Sequence, residues 1–190
     1  MKPLVKIAIL LLFFAVFQVE AQSSDSKWAF GAGIGLAKFS SSDSEFIGDQ
    51  FNFQIPRISA SRYFFYGLTL DAAASFNTIN KLPGIENTVN YLSLDGAIKY
   101  DFGRSQDDLV PYLSLGGSIV KTQYKMTPTL NFGGGGTFWF NSTYGVNSQL
   151  IYKYSQSSFE SMRSHVYFSI GVVYSLNPRI GTPRLWNQKH

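Results

Sequence analysis

The sequence predicts an all-β fold, an eight-stranded antiparallel β-barrel that crosses a membrane, and three observations predict it. Apolar residues alternate with small or polar residues along most of the chain, which is the pattern of strands with two different faces. The connections between these strands alternate between long and short. Aromatic residues make up 16% of the sequence and charged residues only 15%, so the apolar faces are too extensive for a surface in water.

The first strand is "WAFGAGIGL", residues 28–36, with bulky residues on one face and mostly glycine on the other. Its three glycines and the following Lys38 resemble a phosphate-binding loop, but the spacing excludes one. A dinucleotide fingerprint requires glycine where Leu36 stands, and a P-loop requires Ser or Thr where Phe39 follows the lysine. The glycines are therefore expected to line a barrel lumen.

Seven further strands follow along the chain. They are expected near residues 51–61, 66–76, 91–102, 113–119, 130–140, 144–154 and 166–176. The second of them changes phase, because Phe53 belongs to one alternation and Ile58 to the other. Pro56 lies between the two, and proline inside a strand is typical of a bulge or an edge. We therefore expect a bulge that shifts the phase at Pro56.

The connections predict how the barrel sits in its membrane. The connections after strands one, three, five and seven are long and polar. Those after strands two and six are short, and the one after strand four is intermediate. Long loops at one end and short turns at the other are typical of outer-membrane barrels. The short-turn ends carry an expected aromatic girdle: Trp28, Tyr66, Tyr100, Phe102, Phe138, Phe140, Tyr144 and Tyr174. A soluble sandwich or lipocalin would also alternate, but its polar face would be rich in Lys and Glu.

The chain ends predict export. Lys2 and Lys6 precede an apolar run over residues 7–19 that is too short for a membrane helix, so residues 1–21 are expected to be a cleaved signal peptide rather than an anchor. The barrel is expected over residues 22–176 and a periplasmic tail over 177–190. The sequence contains no cysteine, which excludes a lipoprotein anchor and disulfides.

The net charge of +4 does not indicate a nucleic-acid partner. Residues 22–176 contain eleven basic and eleven acidic residues, so the excess lies outside them, with three of its four charges in the tail. A nucleic-acid interface would be a basic face with aromatic residues for base stacking, and no such face is evident in the sequence.

Two segments resemble the outer membrane protein A (OmpA) family of eight-stranded barrels. "WAFGAGIGL" is similar to that family's first strand, and "GGGTFWFNSTYGVNSQL", residues 134–150, to its glycine-rich hairpin. The resemblance implies an outer-membrane protein with extracellular long loops and periplasmic termini. It would be surrounded by outer-membrane lipids and lipopolysaccharide and inserted by the barrel assembly machinery. Thr137, Asn147 and Gln149 replace charged residues of the family pattern, and no peptidoglycan-binding domain is expected.

The last strand carries a second resemblance. Ser169, Gly171, Tyr174 and Leu176 match a pattern similar to the β-signal that the barrel assembly machinery recognises. Ordinary strand alternation also produces much of this pattern.

Catalytic chemistry is not expected. Some barrels of this size modify lipid A with a serine, a histidine and an acid, and His165 lies near "SSFES", residues 157–161. The deacylases have a serine two residues after the histidine, whereas this chain has Tyr167 there. We expect His165 to be a rim residue in contact with water, and we expect no enzyme, cofactor or metal site.

Five charged residues are expected to form a network inside the lumen: Arg57, Asp71, Asp95, Lys99 and Lys153. A turn near residues 62–65 would put Arg57 opposite Asp71, and the next connection would put Asp71 opposite Asp95. Neighbouring carboxylates repel and require cations. Arg57 and Lys99 are the nearest candidates, and Lys153 is expected further away. The network would hold the lumen shut.

The function expected from these features is that of a non-enzymatic structural barrel that contributes to envelope integrity. The alternative is an accessory subunit that docks on a larger outer-membrane complex through its barrel wall or its tail. Arg184, Leu185 and Trp186 would supply the tail contact, since Trp and Arg are common in interface hot spots. The tail could equally be a disordered stub.

Overall fold

The computed structural model describes residues 27–39, 51–64, 67–78, 81–82, 85–87, 90–102, 107–122, 125–156 and 164–176. These residues form ten strands. Their bounds are β1 Lys27–Lys38, β2 Phe51–Tyr63, β3 Leu68–Phe76, β4 Lys81–Leu82, β5 Ile85–Glu86, β6 Tyr91–Asp101, β7 Leu109–Thr122, β8 Lys125–Trp139, β9 Tyr144–Tyr154 and β10 His165–Ser175. The expected signal peptide and tail lie outside the described residues.

Eight of these strands close into an antiparallel barrel, which confirms the predicted fold. The order around the barrel is β1-β10-β9-β8-β7-β6-β3-β2, and β2 pairs again with β1. The two short strands β4 and β5 pair only with each other, as a hairpin within the connection between β3 and β6. Closure leaves the barrel strands without an unpaired edge. Within the described residues, no helix is long and apolar enough to cross a membrane.

The two faces of the barrel wall have opposite chemistry. Outward side chains are large and apolar, among them Leu113, Leu115 and Leu130, each more than half exposed. Inward side chains are mostly polar and buried. Among the outward side chains that the structure describes, charges lie near strand ends, at Lys38, Arg62 and Lys121. An apolar band with a polar interior is the design of a barrel whose outer wall faces lipid.

The phase of β2 shifts as its sequence predicts. Arg57 pairs with Gly33, whereas Gln54 pairs with Gly35, so β2 gains one residue relative to β1 around Pro56. The irregularity lets both Gln54 and Arg57 point into the lumen. A regular strand would have turned one of them toward lipid.

The connection after the fifth barrel strand differs from the prediction. A long loop was expected there, but β7 continues to Thr122 and pairs directly with Lys125 at the start of β8. The reason is that the polar residues beyond Ile119 keep the strand alternation, with Thr127 buried and Met126 exposed. The long connections are therefore residues 39–50, 77–90 and 155–164.

The opposite end of the barrel has the short connections, residues 64–67 and 140–143. Both described chain ends lie there, since the Leu176 backbone N–H donates to the Trp28 carbonyl oxygen at 2.9 Å. Outward aromatic rings pair around this end: Trp28 with Phe30, Tyr100 with Phe102, Phe138 with Phe140, and Tyr144 with Tyr174. These pairs form the predicted girdle, apart from Tyr66, which lies outside the described residues.

Candidate functional site: the ion-pair network of the lumen

Asp95 on β6 is the centre of a buried cluster of charges. Its Oδ1 atom accepts from Lys153 Nζ on β9 at 2.6 Å and from Ser93 Oγ at 2.6 Å. Its Oδ2 atom accepts from Arg57 Nη1 on β2 at 2.9 Å. Lys153 is fully buried and also donates to Ser93 Oγ at 2.7 Å. One carboxylate therefore joins two cations that come from different sides of the barrel.

Tyr167 on β10 extends this cluster to a fourth strand. Its hydroxyl lies 2.9 Å from Ser75 Oγ, and Ser75 accepts from Arg57 Nη1 at 2.8 Å. The guanidinium of Arg57 lies 5.3 Å from the centre of the Tyr167 ring, and Lys153 Nζ lies 4.7 Å from it. Cations over an aromatic face are attracted to its quadrupole, more so where water is excluded.

A second ion pair lies nearer the short-turn end. Lys99 Nζ on β6 lies 2.8 Å from Asp71 Oδ1 on β3, and Ser61 Oγ donates to the same oxygen at 2.6 Å. Lys99 also lies 4.8 Å from the ring centre of Tyr112 on β7. Tyr112 in turn donates to Asn147 Oδ1 on β9 at 3.1 Å. Polar contacts thus cross this half of the lumen as well.

The structure places all five predicted charged residues in buried ion pairs of the lumen, in two groups and with different partners from those expected. Arg57 pairs across the sheet with Ser75, and Asp71 pairs with Ser61 and Ala97. The expected pairings of Arg57 with Asp71 and of Asp71 with Asp95 are therefore wrong. The turn after β2 is centred later than predicted, since β2 continues to Tyr63 and Gly67 adopts a positive φ of 81°. Lys153, expected further away, contacts Asp95 directly.

His165 is not the water-exposed rim residue that its position suggested. It is 2% exposed, lies 3.1 Å through Nε2 from the Tyr91 hydroxyl, and packs against the Phe39 ring at 5.2 Å. The imidazole is buried because Phe39 continues the inward phase of β1 and packs against it. Ser157, Ser158 and Glu160 lie outside the described residues.

Large aromatic residues fill the lumen, which was predicted to be lined by small and polar residues. Tyr91 and Tyr167 are almost fully buried, and Tyr112 and Trp139 are less than a tenth exposed. The sequence does indicate that these aromatic side chains point into the lumen, because each occupies an inward position in the alternation of its strand. The glycines make room for them, because a Cβ atom on Gly35 would lie 2.0 Å from the Tyr167 hydroxyl.

Buried side chains occupy much of the lumen that the structure describes. A cavity beside Gly31, Gly33 and Arg57 measures about 20 Å³, enough for one water molecule. The residues that the structure describes contain no group of three or more His, Cys, Asp or Glu side chains that could hold a metal ion. The chemistry of the site is thus that of fixed charges and hydroxyl groups that bind to each other across the lumen.

The other predicted site residues are placed only in part. Ser169 is buried on the lumen side of β10, Gly171 lies on the same side, and Tyr174 and Leu176 point outward near its end. Their recognition as a β-signal stays a prediction. Arg184, Leu185 and Trp186 lie outside the described residues.

Comparisons with known proteins bear on the fold. The sequence matches no protein-family model and no curated protein. The N-terminal β-barrel domain of Pseudomonas aeruginosa OprF is 14% identical with a TM-score of 0.58, covering 82% of this chain and 100% of that domain. The outer membrane protein OprG of the same organism is 10% identical with a TM-score of 0.59, covering 80% of this chain and 96% of OprG.

Neisserial surface protein A is 16% identical with a TM-score of 0.53, and the match covers 80% of this chain and 96% of that protein. At identities this low the likeness concerns the fold and does not extend to activity. The chain has the fold of the small eight-stranded outer-membrane barrels, which is consistent with its resemblance to the OmpA-like family.

Proposed function

We propose that this protein is a non-enzymatic structural barrel of the outer membrane that contributes to envelope integrity. The observation that carries the proposal is the cross-lumen network, in which Asp95 on β6 joins side chains from β2 and β9, strands that do not pair with β6. Arg57 is 38 residues and Lys153 is 58 residues from Asp95 in sequence. Contacts of this kind brace a barrel from within and occlude its lumen, which is the property of a structural component rather than of a wide aqueous channel.

The burial of His165 supports a non-enzymatic role. A histidine that acts as a general base on a lipid must come within hydrogen-bond reach of the reacting group. Here the imidazole packs against Phe39 and Tyr91, and the fully buried Lys153 Nζ lies 3.5 Å from the Tyr91 hydroxyl. A lipid substrate would have to displace this packing before it reached the imidazole.

The proposal is tested by removing the gene from its host. We expect the deletion strain to become more sensitive to detergents and to large antibiotics, and the intact gene on a plasmid to restore resistance. The purified protein should give no steady conductance in a planar lipid bilayer, because the lumen is filled. An unchanged permeability barrier in the deletion strain would count against the structural role, and a large stable conductance would count against a closed lumen.

The proposed orientation puts the long connections outside the cell and both termini in the periplasm. Because the chain has no cysteine, single cysteines report on orientation cleanly. We expect Ser42→Cys, in the first long connection, to react with a membrane-impermeant maleimide on intact cells. Ser142→Cys, in the short connection between β8 and β9, should react only after the outer membrane is opened. The reverse pattern would contradict the orientation and leave the fold untouched.

A further inference from the structure

The outer wall of the barrel contains a groove that the lumen network does not involve. It has a volume of about 420 Å³ and lies mainly over β8 and β9, with β7 and β10 at its sides. Its lining includes Gly134, Gly136, Ser148, Phe138, Leu150 and Phe168. The volume lies within the range of pockets that hold small molecules.

Small residues on neighbouring strands create the groove. Gly134 pairs with Leu150, and Gly136 pairs with Ser148, so the floor is backbone and one small side chain. Large side chains stand around it, with Phe138 at 40% and Leu150 at 55% exposure. The depression therefore follows from the sequence of β8, where two outward glycines lie between Phe132 and Phe138.

We infer that this groove holds one acyl chain of a membrane lipid, from the leaflet on the short-turn side of the barrel. The inference rests on the proposed function in one respect, that the wall faces a bilayer. Gly136 is separated from the short connection at residues 140–143 by only three residues of β8, which places the groove in that half of the wall. All the wall around the groove is apolar, so the groove is continuous with the lipid-facing surface.

An acyl chain fits the groove by packing. Lipid tails are as apolar as leucine, so no hydrophobic driving force favours one part of the wall over another. The strength of the contact between a lipid tail and the wall depends instead on van der Waals fit. An unfilled depression loses such contacts on one side. A lipid chain is narrow and flexible enough to enter between Phe138 and Leu150. The wall of a second barrel is convex and carries bulky side chains, and would contact the rim rather than the floor.

The test uses the full-length protein in vesicles that contain a phospholipid with a diazirine at the middle of one acyl chain. After irradiation, mass spectrometry locates the cross-links. We expect residues of the groove, such as Leu109 and Phe168, to be labelled several-fold more than residues of the opposite wall at similar depth, such as Leu70 on β3. In Gly136→Leu the side chain fills the floor, so labelling at Leu109 and Phe168 should fall to the level of Leu70.

Gly96→Leu is the matched control. Gly96 also faces outward, but a Cβ atom there has nothing within 4 Å, whereas a Cβ atom on Gly136 meets Leu109 at an ordinary 3.5 Å. Both variants are therefore expected to fold, and Gly96→Leu should keep the wild-type labelling pattern. Ser148→Leu fills the same floor from β9 and should act like Gly136→Leu.

Three outcomes would overturn the inference. Even labelling around the barrel would show that the groove holds no acyl chain, and it would still show that the protein is inserted in the bilayer. Unchanged labelling in both Gly136→Leu and Ser148→Leu would show that the groove is not the site. Cross-links from groove residues to another protein molecule would assign it to a protein partner. A protein that is not labelled at all would instead contradict its placement in a bilayer.

Discussion

Replacement of Asp95 by asparagine is expected to lower the free energy of unfolding by about 3–5 kcal/mol, the range for removing one member of a buried ion pair. The change keeps the shape of the side chain but leaves Arg57 and Lys153 without their shared carboxylate. Lys153 has no exposed surface, so water cannot replace the lost partner. Urea titration of the refolded protein in lipid vesicles, followed by tryptophan fluorescence, measures the loss.

Two variants separate this effect from a general disturbance of the lumen. Asp71→Asn removes a carboxylate that contacts a single cation, Lys99, so its loss of stability should be smaller. The double variant Asp95→Asn/Lys153→Met removes a buried cation together with the carboxylate and should recover part of the stability. If Asp95→Asn were no more harmful than Asp71→Asn, Asp95 would not be the centre of the network.

The sequence predicted the two faces of the wall because alternation is a local property. Each strand shows its own period of two, and even the phase shift of β2 is visible as Pro56 between two alternations. The register between strands is different. Sliding one strand by two residues leaves every side chain on its face, so alternation does not distinguish Ser75 from Asp71 as the partner of Arg57. The position of the turn decides, and the turn ends in the positive φ of Gly67.

The contacts across the lumen were even less accessible to prediction. Lys153 comes from β9 and Asp95 from β6, strands that are separated by β7 and β8 in the sheet. Whether their side chains meet depends on the width of the closed barrel and on the length of lysine, and neither is a property of one segment. The same holds for His165, whose burial depends on Phe39 from a distant part of the chain.

Gly33 is a point of close backbone approach on the seam between β1 and β10. It pairs with Gly171, and a Cβ atom on Gly33 would lie 2.2 Å from the Ile170 carbonyl oxygen and 2.5 Å from the Gly171 Cα atom. Both contacts are with backbone, so no rotation of a side chain relieves them. The neighbouring strand would have to move away, at the seam that joins the first and last strands.

Gly33→Val is therefore expected to prevent stable closure, whereas Gly96→Val should fold like the wild type because nothing lies within 4 Å of its Cβ. The two variants make the same substitution in strand interiors, with Gly33 on the lumen face and Gly96 on the lipid face. Of these two positions, Gly33 is the one where the added Cβ atom meets the backbone of a neighbouring strand. Refolding into detergent, with the folded fraction read from the mobility of unheated samples on a gel, measures closure. Equal folded fractions would mean that β1 and β10 can separate at Gly33 and still close the barrel.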